Sequence, residues 1–356
     1  MFNRINQKIQ RLCGTTLATA VLGLTGWAIA LSVNPPTQAQ EKPRVVASYS
    51  VLCDLAEQIA RDRIALTCLI EGGQDPHTYQ PRPQDLRAIE TAQLILYGGY
   101  DFEPAIVQLV QNTRNSAPKI AIHEVAVTNP IMGEGHHHHG HDDGHGHGHG
   151  HSHGHSHDHD HDHDDDEAAD PHVWHDVRNG IRMAEAIANS LKQIDPGNTE
   201  FYRQNINNLR AELEQLHTWI QAQVATVPAN QRVLVTTHDA LGYFAQAYNF
   251  RVAEGLMGVS TTEQPNAARF RELVELIRAE GVPTVFVEVT SNDRVMNNLA
   301  REANVQIAPR ALMADGLGPR GSSTGTYVQM MTSNTCIIVT GLGGQCNPFP
   351  GAASRP

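Results

Sequence analysis

The chain has 356 residues, enough for two domains with substantial cores, and a formal net charge of −12. Asp142, Asp143, Asp158, Asp160, Asp162, Asp164, Asp165, Asp166 and Glu167 supply nine of those negative charges, and no Lys or Arg lies between Lys119 and Arg178. With no basic stripe, the balance excludes nucleic acid as a partner and points to cations.

Taken in order, residues 1–39 read as a signal peptide. Arg4, Lys8 and Arg11 precede an apolar run from Leu17 to Val33, and Thr37-Gln38-Ala39 offers a small-residue cleavage site. A membrane anchor is the alternative reading, but Thr19, Gly23, Thr25, Gly26 and Ser32 interrupt a run already at the lower limit for a span. Cys13 stands before the run and is badly placed for lipid modification at a cleavage site. The expected location is therefore the periplasm, an oxidising compartment. There Cys53, Cys68, Cys336 and Cys346 allow three disulfide pairings. Sequence neighbours suggest Cys53 with Cys68 and Cys336 with Cys346, with buried free thiols as the alternative.

An N-terminal lobe is expected over residues 43–175. Apolar runs at Val45–Ser48, Ile64–Ile70, Leu94–Tyr97 and Lys119–Ile122 alternate with helical patterns at Val51–Ala60, Gln84–Ala92 and Pro104–Gln111. This βα alternation predicts an α/β fold, with a mostly parallel sheet of about four strands flanked by helices. Ligand sites in such sheets lie beyond the carboxyl ends of the strands.

Residues 134–167 interrupt the lobe with a segment expected to be disordered. His136, His137, His138, His139, His141, His145, His147, His149, His151, His153, His155, His157, His159, His161 and His163 fill fifteen of its positions, and Gly, Ser and Asp fill most of the rest. Such a run has almost nothing to bury, but its imidazoles and carboxylates offer overlapping donor sets for zinc, copper or nickel. An expression tag is the bland alternative, although tags rarely sit mid-chain or alternate with Gly, Ser and Asp.

Helices follow over residues 176–230. Val177, Ile181, Ala184, Ala188 and Leu191 mark one, and Asp195-Pro196-Gly197 ends it. The three-and-four spacing of Ile206, Leu209, Leu213, Leu216, Ile220 and Val224 predicts a single helix over about 198–227, roughly 45 Å long, joining the two halves. Residues 231–344 repeat the βα pattern as a C-terminal lobe. Its expected strands are 233–236, 251–253, 284–289 and 305–308, and its expected helices are 240–248, one around Phe270–Ile277, 293–303 and 326–340. Residues 345–356 read as a flexible tail.

Four side chains stand at loop positions of this pattern: His77 in Asp75-Pro76-His77, His172 in Asp170-Pro171-His172, His238 in Thr236-Thr237-His238-Asp239, and Asp315 after the last strand. All can converge on the cleft between the halves, and three neutral imidazoles plus a carboxylate or water complete a zinc tetrahedron. Each alone is more often a solvated loop side chain; the repeated Asp-Pro-His shifts the balance. His175 is expected behind the site or on the surface, and His123 and His217 are expected to be structural or exposed. Tyr79, Trp174 and Tyr243 are expected to wall the cleft.

Gln74-Asp75-Pro76-His77-Thr78-Tyr79-Gln80-Pro81-Arg82-Pro83, Asp170-Pro171-His172-Val173-Trp174, Val235-Thr236-Thr237-His238-Asp239-Ala240-Leu241-Gly242-Tyr243-Phe244 and Phe286-Val287-Glu288-Val289 resemble the zinc-binding type of solute-binding protein of ABC importers. The resemblance spans about Pro43 to Gly344. It implies two lobes joined by a long rigid helix with the metal between them, in a monomeric protein that passes Zn2+ to an inner-membrane ABC permease with its cytoplasmic ATPase. It also implies His77, His172 and His238 as zinc ligands and Asp315 in the place of an acidic ligand of the manganese members, which carry Glu where His238 stands. Zinc members commonly bear a His- and acid-rich loop before the second motif, where it would collect or sense zinc. The chain departs from the pattern at His175-Asp176, where an apolar residue is more usual.

Other readings are a manganese-binding protein, a periplasmic metal buffer or adhesin, and a zinc hydrolase with Asp239 or Glu288 as base. The hydrolase has little support, because neither His-Glu-x-x-His nor His-x-His-x-Asp-His occurs.

Overall fold

A computed structural model describes residues 41–133, 168–253, 255–263, 265 and 267–351. The expected signal peptide, the histidine-rich segment 134–167 and the last five residues lie outside them. Among the described residues, no helix is long and apolar enough to cross a membrane.

The N-terminal half is built on β1 (Arg44–Tyr49), β2 (Ala65–Ile70), β3 (Leu94–Tyr97) and β4 (Lys119–Ala121), parallel throughout and ordered β2-β1-β3-β4. The inner strand β1 is buried from Val45 to Tyr49, as a strand covered on both faces must be. Helices α1 (Ser50–Ala60), α2 (Pro83–Thr91) and α3 (Pro104–Asn112) connect the strands. Proline opens α2 and α3 at their first turn, where a missing N–H costs nothing. A short helix, α4 (Ile122–Ala126), follows β4 directly and takes up the end of the apolar run read as strand.

The histidine-rich segment leaves and re-enters through a small antiparallel ladder, β5 (Met132–Gly133) against β6 (Ala168–Ala169). Asp170 N–H donates to Ile131 O at 2.8 Å beside it, and the Tyr243 hydroxyl receives Ile131 N–H at 3.0 Å.

Two helices join the halves. The Asp176 side chain caps α5 (Val177–Ile194) by accepting Arg178 N–H. The 26-residue α6 (Thr199–Val224), about 39 Å long at 1.5 Å per residue, buries Tyr202, Ile206, Leu209, Leu213, Leu216, Ile220 and Val224 on one face.

The C-terminal half contains β7 (Val233–Val235), α7 (Gly242–Tyr248), β8 (Arg251–Ala253), α8 (Ala267–Glu280), β9 (Thr284–Val285), α9 (Asp293–Ala303), β10 (Gln306–Ile307) and α10 (Tyr327–Gly341). Its strands form two parallel pairs, β7 with β8 and β9 with β10, linked by Phe286 N–H to Val235 O at 2.9 Å. The run 284–289 is thus a shorter strand than its composition suggests. Gln306 and Ala308 N–H bond Pro283 O and Val285 O, and pairing then lapses until the Glu288–Leu312 bridge.

One core runs through the N-terminal half, α5 and α6 and on into α7 and α10; the β7–β10 region has a smaller core of its own. Disulfides join Cys53 to Cys68 and Cys336 to Cys346, the neighbour pairing. Residues 345–351, read from sequence as part of a flexible tail, are instead anchored on α6. Trp219 Nε1 donates to Asn347 O at 3.2 Å, Asn347 N–H reaches Gln223 Oε1 at 2.8 Å, and Phe349 is buried edge-on against Trp219. One aromatic ring and a disulfide outweigh the glycine and proline content there. Phe349→Ala is expected to cost about 2 kcal/mol and lower the melting temperature by roughly 4 °C, read by differential scanning calorimetry; an unchanged midpoint would show that the anchor contributes nothing.

Candidate metal centre

Four loops bring donors to one point between the halves. His77, His172, His238 and Asp315 lie with their ligating atoms within 4.8 Å of one another, and all four residues are buried. The four ligand positions expected from the sequence therefore stand together, while the fifteen histidines of residues 134–167 lie outside the described residues.

The repeated Asp-Pro-His follows from backbone chemistry. In each copy the Asp side chain accepts the N–H of the His two residues on, at 2.9 Å, and the intervening Pro has no N–H to compete. The second copy does more, because Asp170 Oδ1 also bonds His172 Nδ1 at 2.9 Å. His238 follows β7, and its Nδ1 makes a short contact to Glu288 Oε2, while Glu288 Oε1 accepts Thr237 N–H at 3.1 Å. With Nδ1 as the donor in both rings, the Nε2 lone pairs of His172 and His238 face inward.

Asp315 sits among the rings. Its Oδ1 is 3.1 Å from Nε2 of both His172 and His238 and 3.4 Å from Nε2 of His77. Nε2 of His172 lies 3.3 Å from Nε2 of His77 and 3.4 Å from that of His238. The Thr290 hydroxyl donates to Asp315 Oδ2, so one carboxylate oxygen is left for the cluster. Behind it, His175 Nε2 meets Ala314 O at 2.8 Å, and Asn334 of α10 clamps Met313 through its N–H (3.0 Å) and its carbonyl (2.8 Å). The unusual His175-Asp176 pair thus has two jobs: one residue fixes the Asp315 segment, and the other caps α5.

Burial and charge oppose each other here. Burial alone lowers a histidine, and it prevails at His77. At His238 burial also disfavours the charged ring, but Glu288 and Asp315 outweigh it and raise the ring well above its ordinary value. His172 is raised in the same way, its burial overcome by hydrogen bonds to Asp170 and Asp315. Asp315 is held well below the carboxylate range; burial would raise it, but the three imidazoles outweigh that.

The other candidates are structural. His123 is fully buried away from the cluster, its Nε2 2.7 Å from the Tyr49 hydroxyl, and His217 on α6 contacts the Tyr248 hydroxyl at 3.1 Å. Trp174 does wall the site, with its ring 5.5 Å from that of His172, but Tyr79 bonds Asp85 and Leu69 O, and Tyr243 holds the ladder base. Phe102, not singled out from sequence, stands edge-on to His77 at 5.1 Å and to His172 at 5.6 Å. Thr290 also escaped notice, since nothing in a lone threonine signals a carboxylate partner 25 residues away.

Residues 45–341 match the family described as ZnuA, zinc-uptake complex component A, periplasmic. The zinc-binding protein TroA of Treponema pallidum is 31% identical over 94% of this chain and 98% of its own length. The manganese-binding lipoprotein MntA of Halalkalibacterium halodurans is 29% identical over 84% of this chain and 88% of its own. Among solved structures, that of the Treponema pallidum TroA superposes with a TM-score of 0.72 at 31% identity, covering 85% of this chain and 99% of that one. Match and geometry agree: the chain belongs to the ZnuA family and is a metal-binding solute-binding protein of the ABC-importer type, not an enzyme.

Proposed function

We propose that the chain captures zinc in the periplasm and delivers it to an ABC permease and its ATPase, with His77, His172, His238 and Asp315 as ligands. The observation that carries this reading is the donor set. Five of the six donor pairs are 3.1 to 3.4 Å apart. A tetrahedron with zinc–ligand bonds of about 2.0–2.1 Å has edges of about 3.3–3.4 Å. Three imidazoles and one available carboxylate oxygen suit zinc; manganese prefers oxygen donors and a larger shell. Manganese remains the second reading because of the likeness to MntA.

Residues 134–167 are assigned the collection or sensing of zinc. What supports the assignment is that the flanking strands β5 and β6 stand beside Asp170, which bonds His172. Competitive titration of a chain lacking residues 134–167 is expected to retain one tight zinc, and His238→Ala to abolish it. His238→Glu is expected to narrow the preference for zinc over manganese. Loss of the tight site with the segment would move capture away from the cleft.

Asp170→Asn and Glu288→Gln keep shape but remove the charge that orients each ring, and each is expected to weaken zinc about 10- to 100-fold in the same titration. Unchanged affinity in both would show that the rings need no such support.

The pH dependence follows from the raised rings. His172 and His238 bind protons more tightly in the metal-free folded protein than free histidine does. Zinc must displace those protons, so affinity falls as pH falls, and the fall begins above pH 6.5, the ordinary histidine value. Zinc addition at pH 7 in weak buffer is expected to release roughly one to two protons per chain, read with an indicator dye; no release would mean both rings are already neutral.

A further inference from the structure

The four donors are not held equally. His172 and His238 each have a carboxylate on Nδ1, and Asp315 has Thr290 on its second oxygen. Among the described residues, no carboxylate is bonded to His77 Nδ1. Asp101 reaches that ring only electrostatically and is itself exposed. His77 is also the most exposed of the four, 7% against 0–1% for the others, although its side chain is only 2% exposed.

What fixes His77 is its backbone, and that depends on Asp75. Asp75 Oδ1 takes His77 N–H at 2.9 Å, and Oδ2 takes the Thr78 hydroxyl at 3.0 Å. A third donor arrives from the opposite half: the Thr261 hydroxyl, 2.7 Å from Asp75 Oδ2.

Thr261 belongs to the segment 255–263, which is bound to the strand end that carries His238. Met257 N–H donates to Thr237 O at 3.2 Å, Asp239 N–H to Gly258 O at 2.9 Å, and the Asp239 carboxylate accepts Gly255 N–H. A Cβ on Gly255 would fall 2.9 Å from the His238 backbone, so only glycine permits this approach. The Glu263 carboxylate accepts Gly258 N–H at 2.8 Å and braces the turn that presents Thr261. One hydroxyl therefore closes a path from His238 in one half to His77 in the other.

The base of the His77 loop has separate support. Gly73 N–H donates to Leu317 O at 2.8 Å, and a Cβ on Gly72 would fall 2.1 Å from Gly318 O. The base is pinned, whereas the tip bearing His77 is tied across the cleft through Asp75.

We propose that Thr261 is a positioning residue for metal retention: through Asp75 it holds His77 in the ligand set, and breaking this hydrogen bond opens the site. The proposal rests on the cluster being the metal site. Metal leaves by the ligand whose loop tip is tied across the cleft through Asp75 and Thr261. The effect appears mainly in the dissociation rate, since the other three donors keep their supports.

The test compares the full chain with Thr261→Val, which keeps the shape without the hydroxyl, and Thr261→Ser, which keeps the hydroxyl. Zinc-loaded protein is mixed with excess chelator and dissociation is followed in time. Thr261→Val is expected to release zinc about 10-fold faster or more, the scale of a lost hydrogen bond to a carboxylate, and Thr261→Ser within about 3-fold of the unsubstituted chain. Hydrogen exchange of the metal-free proteins supplies a readout independent of metal: amides 77–79 are expected to exchange faster in Thr261→Val and not in Thr261→Ser. Equal release from all three chains, or equally fast release from both variants, overturns the latch. Absence of a tight zinc site in the unsubstituted chain overturns instead the functional reading on which the latch rests.

Discussion

The carboxylate of Asp315 is the group on which the arrangement depends. It is 1% exposed, it stands among three imidazoles, and Asp170 and Glu288 are buried just behind two of them. Three carboxylates in so little space would be costly if left uncompensated. Positive charge at the centre would compensate them, and the upward shifts of His172 and His238 show that the surroundings favour it there. The same two rings proposed as metal ligands are therefore the ones whose charged form the surrounding carboxylates favour.

Delivering four donors to one point requires that both halves be fixed in register. The one long helix α6 and the neighbouring α5 carry a core that continues from the N-terminal sheet into α7 and α10. The segment between Asp315 and α10 is strapped to the N-terminal half, with Leu317 N–H on Ser50 Oγ at 2.9 Å, Tyr327 N–H on Asp54 Oδ2 at 2.8 Å, and Arg320 paired with Glu57 at 2.9 Å. The exposed Arg320 pair contributes little by itself. The backbone bonds matter more, because they place Asp315 by the route of the chain and not by side-chain reach. Asp315 therefore belongs mechanically to both halves, although its sequence position assigns it to one.

Much of this was legible in the sequence. The repeat of Asp-Pro-His is local chemistry: an Asx turn needs an acceptor, a residue without a competing N–H, and a donor, and three adjacent letters spell it. The strands and helices of the N-terminal half came through because β1 and β3 are continuous apolar runs and α1 has one buried face. The C-terminal strands were harder. Their length is set by where pairing lapses between Ala308 and the Glu288–Leu312 bridge, which is a property of the pairing and not of the run. The anchoring of residues 345–351 was hidden for a similar reason: Phe349 and Cys346 act through Trp219 and Cys336, and a glycine-rich composition says nothing about distant partners. Thr290 and Thr261 were invisible, since a threonine bonded to a remote aspartate has no local signature.

Capture and delivery place opposite demands on a binding site. Four rigid donors would hold a metal ion tightly and exchange it slowly, whereas four mobile ones would let it go. The structure separates the demands by residue. His172, His238 and Asp315 are each locked from behind by Asp170, Glu288 and Thr290, so their geometry exists before the ion arrives and little entropy is lost on binding. His77 lacks such a lock on its ring and is held through Asp75 by a hydroxyl from the far half. A helix as stiff as α6 argues against wide opening of the halves, but no wide opening is needed if one loop tip carries the fourth ligand. In the proposed latch, weakening the Thr261 contact acts on release without disturbing the supports of the other three donors.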